Sequence, residues 1–449
     1  MFDFLKKKKI VTRFAPSPTG LFHVGSARVA LFNYLFTKQN KGEFLLRIED
    51  TDEARSKPEW TEMIYDSLKW LGIDYTKSFI QSERTAVYKK YLEKLIAENK
   101  AYVSKEEIKE EGQRAEVIRF RNPNKKVKFT DLIRGEIEFD TTELKDFVIA
   151  KSLTEPVFHL TNVIDDFESS VTHAIRGEDH ISNTPRQILL FEAIGGQPPV
   201  YAHLPLILSE TREKLSKRKH GELVSVAYYQ KEGYLPEAFL NFIAFLGWNP
   251  GGEQEILSMK ELIEKFDLKK VQKSGAIFNK EKLLWFNKEY IKRMKKEDLE
   301  HKIFRKLSIK YKVEKIFLEK ITPTIVERIN TFGELEKIVA EGEFDYFFVA
   351  QDPVKEMLIW KKDTDFVIPK ENLQKMMKII TEIDEKDFME EKVKSVLMPK
   401  AEEFGKGSVL WPLRVALSGK EKSPDPFTLL SILGKEESIK RIQNAIDKL

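Results

Sequence analysis

Two short segments, far apart in the chain, carry the residue types that handle polyphosphates. The first is Pro16-Ser17-Pro18-Thr19-Gly20-Leu21-Phe22-His23-Val24-Gly25, and the second is Lys214-Leu215-Ser216-Lys217-Arg218-Lys219-His220-Gly221. In the first, Gly25 at a helix start lets backbone amides approach a phosphate, the helix dipole favours an anion there, and His23 can donate a hydrogen bond to the same group. In the second, Lys214, Ser216 and Lys217 sit on a flexible loop that can wrap a triphosphate. Each ammonium would neutralise charge that builds on the phosphoryl oxygens as a bond to pyrophosphate breaks. Taken singly, the first segment also reads as a proline-rich turn and the second as a basic surface run. Arg13, Glu49 and Arg176 form a third group, each at the carboxyl end of an expected strand, where the ligand crevice of an open parallel sheet lies. Alone, each is an ordinary salt-bridge residue.

The elements around these residues agree with such a crevice. Residues Ile10 to Phe14 read as a strand, Pro16 to Gly20 as a loop, and Ser26 to Gln39 as a helix with Ala27, Leu31, Tyr34 and Leu35 on one face. A second strand, Phe44 to Glu49, completes a unit whose helical middle requires the two strands to be parallel. The helix Trp60 to Leu71 is bounded by Pro58 and Gly72. Short strands such as Val117 to Phe120 and Phe147 to Ala150, with a helix around Tyr91 to Ile96, then mark an insertion. The sheet pattern resumes with Val171 to Arg176, a helix from Ser182 to Ile194 and a strand from Val200 to Ile207. Beyond Glu222 the signals are almost entirely helical, as in Leu283 to Met294 and Phe427 to Leu433, with breaks near Gly251, Pro323 and Gly405.

The expected fold class is therefore an α/β Rossmann-like parallel-sheet catalytic domain with an inserted α+β connective domain, followed by all-α C-terminal domains. The expected divisions are 9–72 and 169–222 for the two sheet halves, 73–168 for the insertion, and 223–300 and 301–449 for the helical modules. A chain of 449 residues, 41% hydrophobic and 33% charged, is long enough for several cores. No apolar run approaches the roughly 20 residues that cross a bilayer, and no secretory leader is legible, so a cytoplasmic protein without a membrane partner is expected. With no cysteine, disulfides, thiol catalysis and Cys-based zinc are excluded, and the seven histidines lack ligand spacing, so no metal site is expected. A net charge of +4 leaves any RNA contact to local basic patches.

Together, His23-Val24-Gly25-Ser26 and Lys214-Leu215-Ser216-Lys217-Arg218 resemble the two signatures of class I aminoacyl-tRNA synthetases. Arg13-Phe14-Ala15-Pro16-Ser17-Pro18-Thr19-Gly20 and Arg47-Ile48-Glu49-Asp50-Thr51-Asp52 narrow the resemblance to the bacterial-type glutamyl-tRNA synthetases. It extends through Arg176-Gly177-Glu178-Asp179-His180, Gly247-Trp248 and Trp411-Pro412-Leu413-Arg414.

The resemblance implies that Arg13 and Arg176 bind substrate carboxylate, that Glu49 contacts the amino group, and that Ala15, Ser17, Phe158 and Asn162 line the pocket. His23, Gly25, Asp179, the backbone at Ile207 and Lys217 would meet ATP, which arrives with Mg²⁺ as a substrate. His23, Lys214, Ser216 and Lys217 would support catalysis, and no protein-bound zinc is expected. Residues 73–168 would bind the tRNA acceptor end, 223–300 its stem and 301–449 its anticodon. The partner is tRNA for glutamate, with tRNA for glutamine left open as a second substrate, and the family favours a monomer. Asp50 and Asp52 are expected to pair with nearby arginines. The chain departs from the family at Phe158-His159-Leu160-Thr161-Asn162, where relatives usually begin with tyrosine, and in a shortened insertion. A catalytically idle tRNA-binding relative, and a small-molecule ligase or nucleotidyltransferase on the same fold, remain open on sequence alone.

Overall fold

Short β-branched and aromatic runs make the strands, and their alternation decides what each sheet face carries. In the computed structural model, which describes residues 9–108, 114–361, 363 and 365–449 and only the backbone of Lys217 and Arg218, β1 (Val11–Phe14) leads into α1 (Val24–Gln39). Then come β2 (Glu43–Ile48), α2 (Pro58–Trp70) and β3 (Lys77–Ile80). These strands are parallel, with Arg13 opposite Leu45 and Arg47 opposite Phe79. The sheet thus runs past residue 72, where hydrophobic periodicity stops: Lys77 and Ser78 are exposed, so β3 has no apolar stripe at its start.

The insertion continues with α3 (Thr85–Ala97), β4 (Ala101–Lys105), β5 (Glu116–Phe120), β6 (Lys126–Asp131), β7 (Gly135–Asp140), β8 (Phe147–Ser152) and β9 (Glu155–Pro156). Strands β4, β5, β8 and β9 form their own antiparallel sheet. The β6–β7 hairpin does not join it. After α4 (Phe158–Glu168), β10 (His173–Gly177), α5 (Thr184–Ile194) and β11 (Val200–Leu204), the order β10-β11-β6-β7 emerges, with Asp131 beside Tyr201. The expected final strand to Ile207 is divided, because Pro205 supplies no ladder donor; β12 (Ile207–Leu208) pairs instead with β13 (Ala276–Ile277), a strand within the region read as helical.

Strands β1 and β10 lie side by side and unite the two sheets. The Thr172 amide donates to the Val11 carbonyl at 2.9 Å, and its Oγ1 accepts the Val11 amide at 2.9 Å. Asn33 of α1 donates to the Ile175 carbonyl at 2.9 Å from one face of the same seam. On that face Phe14, Phe44, Leu46, Ile48, Ile175, Ala202 and Leu204 join the core under α1. The opposite face carries Arg13, Arg47, Arg176, Tyr201 and His203 at alternating positions beneath α4 and α5.

The described residues divide into two bodies, one ending at Tyr290 and one spanning Ile291–Leu449, so the division falls inside the helix Lys280–Lys292. The second body is helical among its described residues. Pro323 does not break it: the helix Lys315–Arg328 runs through that position. Its Glu319 carbonyl, which loses an amide partner there, lies on an exposed turn where water can serve. Gly405, at φ 98°, does end a helix as expected. Among the described residues no helix is long and apolar enough to cross a membrane.

Thr172→Val keeps the shape of the seam but strips the side-chain acceptor from the Val11 amide, at a cost of about 1–3 kcal/mol for a buried donor. Hydrogen exchange should show that amide opening roughly tenfold or more faster; unchanged protection would contradict the bridging role of Thr172.

Candidate active site

At the carboxyl ends of β1, β2 and β10 the face beneath α4 turns from apolar to charged. Two guanidinium groups there share one carboxylate. Arg13 Nε donates to Asp166 at 3.1 Å and 3.2 Å, and Arg47 donates to the same Oδ1 at 2.6 Å. Burial would raise the Asp166 pKa, but Arg13 and Arg47 outweigh it and hold the carboxyl below its usual range. Arg47 also donates to Glu49 Oε1 at 2.9 Å and 3.1 Å, and Asn162 Nδ2 donates to that oxygen at 3.1 Å. Gln187 in turn donates to Asn162 Oδ1 at 3.1 Å. Those bonds to Glu49 all fall on Oε1, so Oε2 is its oxygen for a cation. Burial pushes the Glu49 carboxyl up, opposed in part by Arg47, Asn162 and Arg13, so an arriving ammonium would be well placed to favour its ionised form.

Arg176 is treated differently. It is 6% exposed, and its bonds go to neutral acceptors: Nε to His203 Nε2 at 3.2 Å and Nη2 to Thr184 Oγ1 at 2.8 Å. The Tyr201 ring lies 5.3 Å from its guanidinium carbon. Burial lowers its pKa to about 10, which leaves it protonated at neutral pH with no directly bonded carboxylate. A buried cation held this way can receive an anion.

The other end of the cleft is built by the start of α1. His23 caps that helix, its Nδ1 accepting the Gly25 amide at 2.9 Å. A Cβ on Gly25 would lie 3.3 Å from that same nitrogen, so glycine permits the close cap. Burial and then Lys214 lower the His23 pKa, partly offset by a hydrogen bond to the Leu215 backbone, so the ring is neutral with Nδ1 as acceptor. Gly177 lets the Asp179 carboxylate fold back over its own Cα, where a side chain would clash. Glu178 accepts the Leu206 amide at 2.7 Å and pairs with Arg134, fixing the turn before Ile207. Arg28, buried in α1, donates to the carbonyls of Pro205 and Leu246 and holds the same turn from the other side.

These two ends belong to one cleft of about 820 Å³. Arg13, Ala15, Ser17, Glu49, Phe158, Asn162 and Arg176 line one part of it, and His23, Gly25, Asp179, Ile207 and Lys214 the other. Ser216 is not on its wall; its amide and carbonyl engage His220 at 3.2 Å and 3.1 Å. The Lys217 side chain lies outside the described residues. Asp52 pairs with Arg55 as expected, whereas Asp50 accepts the amide and hydroxyl of Ser82 at 2.9 Å and 2.6 Å instead of an arginine. That difference follows from β3, which brings residue 82 beside the end of β2.

Sequence reasoning missed Asp166, Gln187, Thr184, His203, Asp131 and Arg28. For Asp166 a signal was present: Asn162 and Asp166 stand four apart in a helix, which puts both on one face. The others carry no local pattern of their own, and only tertiary pairing gives them meaning.

Comparison with known proteins identifies the family. The family model for tRNA synthetases class I (E and Q), catalytic domain, matches residues 9–116 and 103–285, and the model for the anticodon binding domain matches residues 286–446. The chain is 39% identical to glutamate-tRNA ligase 1 of Petrotoga mobilis, over 98% of this chain and 97% of that one. It is also 39% identical to the glutamate-tRNA ligase of Aquifex aeolicus, over 98% and 99%. The crystal structure of a glutamate tRNA ligase from Elizabethkingia meningosepticum in complex with its amino acid superposes with a TM-score of 0.87 at 34% identity, covering 98% of this chain and 99% of that one. The chain belongs to the glutamate-tRNA ligase family of class I tRNA synthetases.

Proposed function

We propose that this member of the family joins glutamate to the 3′-terminal adenosine of a tRNA in two steps within the one cleft. The glutamate α-carboxylate attacks the α-phosphate of ATP, supplied with Mg²⁺; the bond to the β-phosphate breaks, and pyrophosphate leaves glutamyl-adenylate behind. A ribose hydroxyl of the terminal adenosine, the 2′ by resemblance, then attacks the activated carbonyl and AMP departs. Neither step needs a side-chain nucleophile. Catalysis is positioning plus neutralisation of phosphate charge by Lys214 and Lys217, with the neutral His23 offering a hydrogen bond.

The observation that carries this reading is the contrast between Arg176 and its neighbours. Arg13 and Arg47 are matched by Asp166 and Glu49, while Arg176 reaches only neutral acceptors beside the cleft. In this assignment Arg176, with the remaining donors of Arg13, takes the substrate carboxylate, and Glu49 Oε2 takes the ammonium. Asn162 acts mainly by holding Glu49. Ala15, Ser17 and Phe158 shape the wall, while Asp179 and the Ile207 backbone meet the nucleoside.

For the partner we assign the insertion to the acceptor end, residues 223–300 to the stem and 301–449 to the anticodon, in a cytoplasmic monomer that charges tRNA for glutamate. Whether tRNA for glutamine is also charged is decided by assaying each purified tRNA. Pyrophosphate release that depends on both glutamate and tRNA tests the activity itself, and its absence would favour the idle relative.

Lys217→Ala should slow adenylate formation by roughly a hundredfold, since its contact counts most as charge develops on the phosphates. Glutamate binding should be nearly unchanged, and near-normal single-turnover rates would remove Lys217 from the mechanism. Arg176→Ala should raise the KM for glutamate by about tenfold or more, because a charge-assisted bond in a buried site is lost. A glutamate KM equal to the parent's in steady-state charging would refute the anchor.

A further inference from the structure

Behind Arg176 stands a chain of two residues that the catalytic assignment does not use. His203, fully buried on β11, is opposite Arg176 in the parallel ladder. Its Nδ1 lies 2.6 Å from Asp131 Oδ2. Asp131 belongs to the inserted β6–β7 hairpin and is itself 1% exposed. Its other oxygen, Oδ1, accepts the amides of Ile133 and Arg134 at 2.9 Å and 2.8 Å. Burial would raise the Asp131 pKa, but the His203 bond and these amides hold it below the usual range.

The hydrogen bonds leave one consistent protonation pattern. A carboxylate can only accept, so His203 Nδ1 carries the proton. A guanidinium can only donate, so His203 Nε2 is bare and its lone pair receives Arg176 Nε. Burial followed by the neighbouring Arg176 keeps the ring neutral, against the pull of Asp131. Thr184 Oγ1 also lies 3.2 Å from Nε2; with that lone pair taken by Arg176, its hydroxyl donates to the His180 carbonyl at 3.1 Å and presents its oxygen to Arg176 Nη2. Tyr201 stacks on His203 at 6.0 Å and 13° and limits rotation of the ring. Arg134, on the hairpin turn, donates to the Lys273 carbonyl at 2.7 Å and ties that turn to its surroundings.

We propose that Asp131 and His203 are positioning residues for the amino acid: the inserted hairpin selects the His203 tautomer, and that tautomer aims Arg176 without neutralising it. This rests on the reading of Arg176 as the carboxylate anchor. The arrangement separates direction from charge. A carboxylate in place of His203 would fix the guanidinium equally well but would compete with the substrate for it.

Asp131→Asn tests the tautomer directly. Oδ1 accepts two amides, while Oδ2 accepts that of His203 at 3.0 Å as well as facing the ring, so the oxygen is favoured at Oδ1 and the new Nδ2 faces His203 and donates to Nδ1. The imidazole is then driven to carry its proton on Nε2, where it meets the Arg176 donor head-on. Steady-state charging should show a glutamate KM raised by about tenfold or more, the range for lost supporting bonds, with the KM for ATP within about twofold. His203→Gln places an amide oxygen within reach of Arg176 and carries no charge, so it should bring the glutamate KM back to within about threefold of the parent. An Asp131→Asn glutamate KM within twofold of the parent, an equal rise in both KM values, or a His203→Gln enzyme as impaired as Asp131→Asn would each overturn the proposal. Arg176→Ala separates the two levels. If that variant keeps its glutamate KM, the anchor reading fails and takes this inference with it; if its KM rises while that of Asp131→Asn does not, only the inference fails.

Discussion

The amino-acid end of the cleft depends on how one buried carboxylate is divided. Asp166 serves both Arg13 and Arg47, and because it projects from α4 while they project from β1 and β2, the same bonds that match the charges dock the helix on the sheet. Its neighbour Asp165 points elsewhere, as adjacent helical residues must, and accepts from Gln81, Arg84 and Tyr88 at 2.7 Å, 2.8 Å and 2.9 Å. The pair therefore fastens the start of the insertion and the catalytic sheet to one helix. Removing a single partner from such a cluster would leave an uncompensated buried charge, which costs far more than a surface ion pair contributes.

Local pattern made the frame of this site legible. The alternation in Arg13, Arg47 and Arg176 placed them on strands, and the helix that starts at Val24 was marked by the glycine and the apolar stripe that follows. The segment read as insertion mixed two kinds of strand, and pattern could not sort them. β5 joins the separate antiparallel sheet, whereas β6 carries Asp131 to the edge of the catalytic one; both are short and half-polar. Pro323 was misread because a proline's cost depends on whether water can serve the orphaned carbonyl, which the chain alone does not reveal. The roles of His203 and Thr184 were illegible for a similar reason. A buried histidine is usually a satisfied core residue, and only its placement between Asp131 and Arg176 gives it a tautomer with a consequence.

Neutral histidines recur at both ends of the cleft, each held by a fixed donor or acceptor on one nitrogen. At the phosphate end His23 spends Nδ1 on the helix cap and turns its other nitrogen toward the Leu215 backbone, beside the loop that carries Lys214. At the amino-acid end His203 donates its Nδ1–H to Asp131 and offers Nε2 as acceptor to Arg176. Neutrality suits both positions. A charged His23 would repel Lys214 across the phosphate site, and a charged His203 would repel Arg176 and could no longer accept from it.

Phe158 gives this economy a further reason. Without a tyrosine hydroxyl at the start of α4, the wall beside His180 is a ring with no donor, its centre 5.7 Å from that of the His180 ring. On the proposed assignment, selection for a carboxylate rests more heavily on the charge of Arg176. That distribution favours discrimination. A neutral amide of the same shape keeps one acceptor oxygen, turns an NH2 toward guanidinium donors and leaves the buried cation without a counter-charge, so on that assignment the acid is preferred on both counts. Had Arg176 been paired with a protein carboxylate as Arg13 and Arg47 are, the counter-charge would already be present in the empty cleft, and the amide would lose less against the acid.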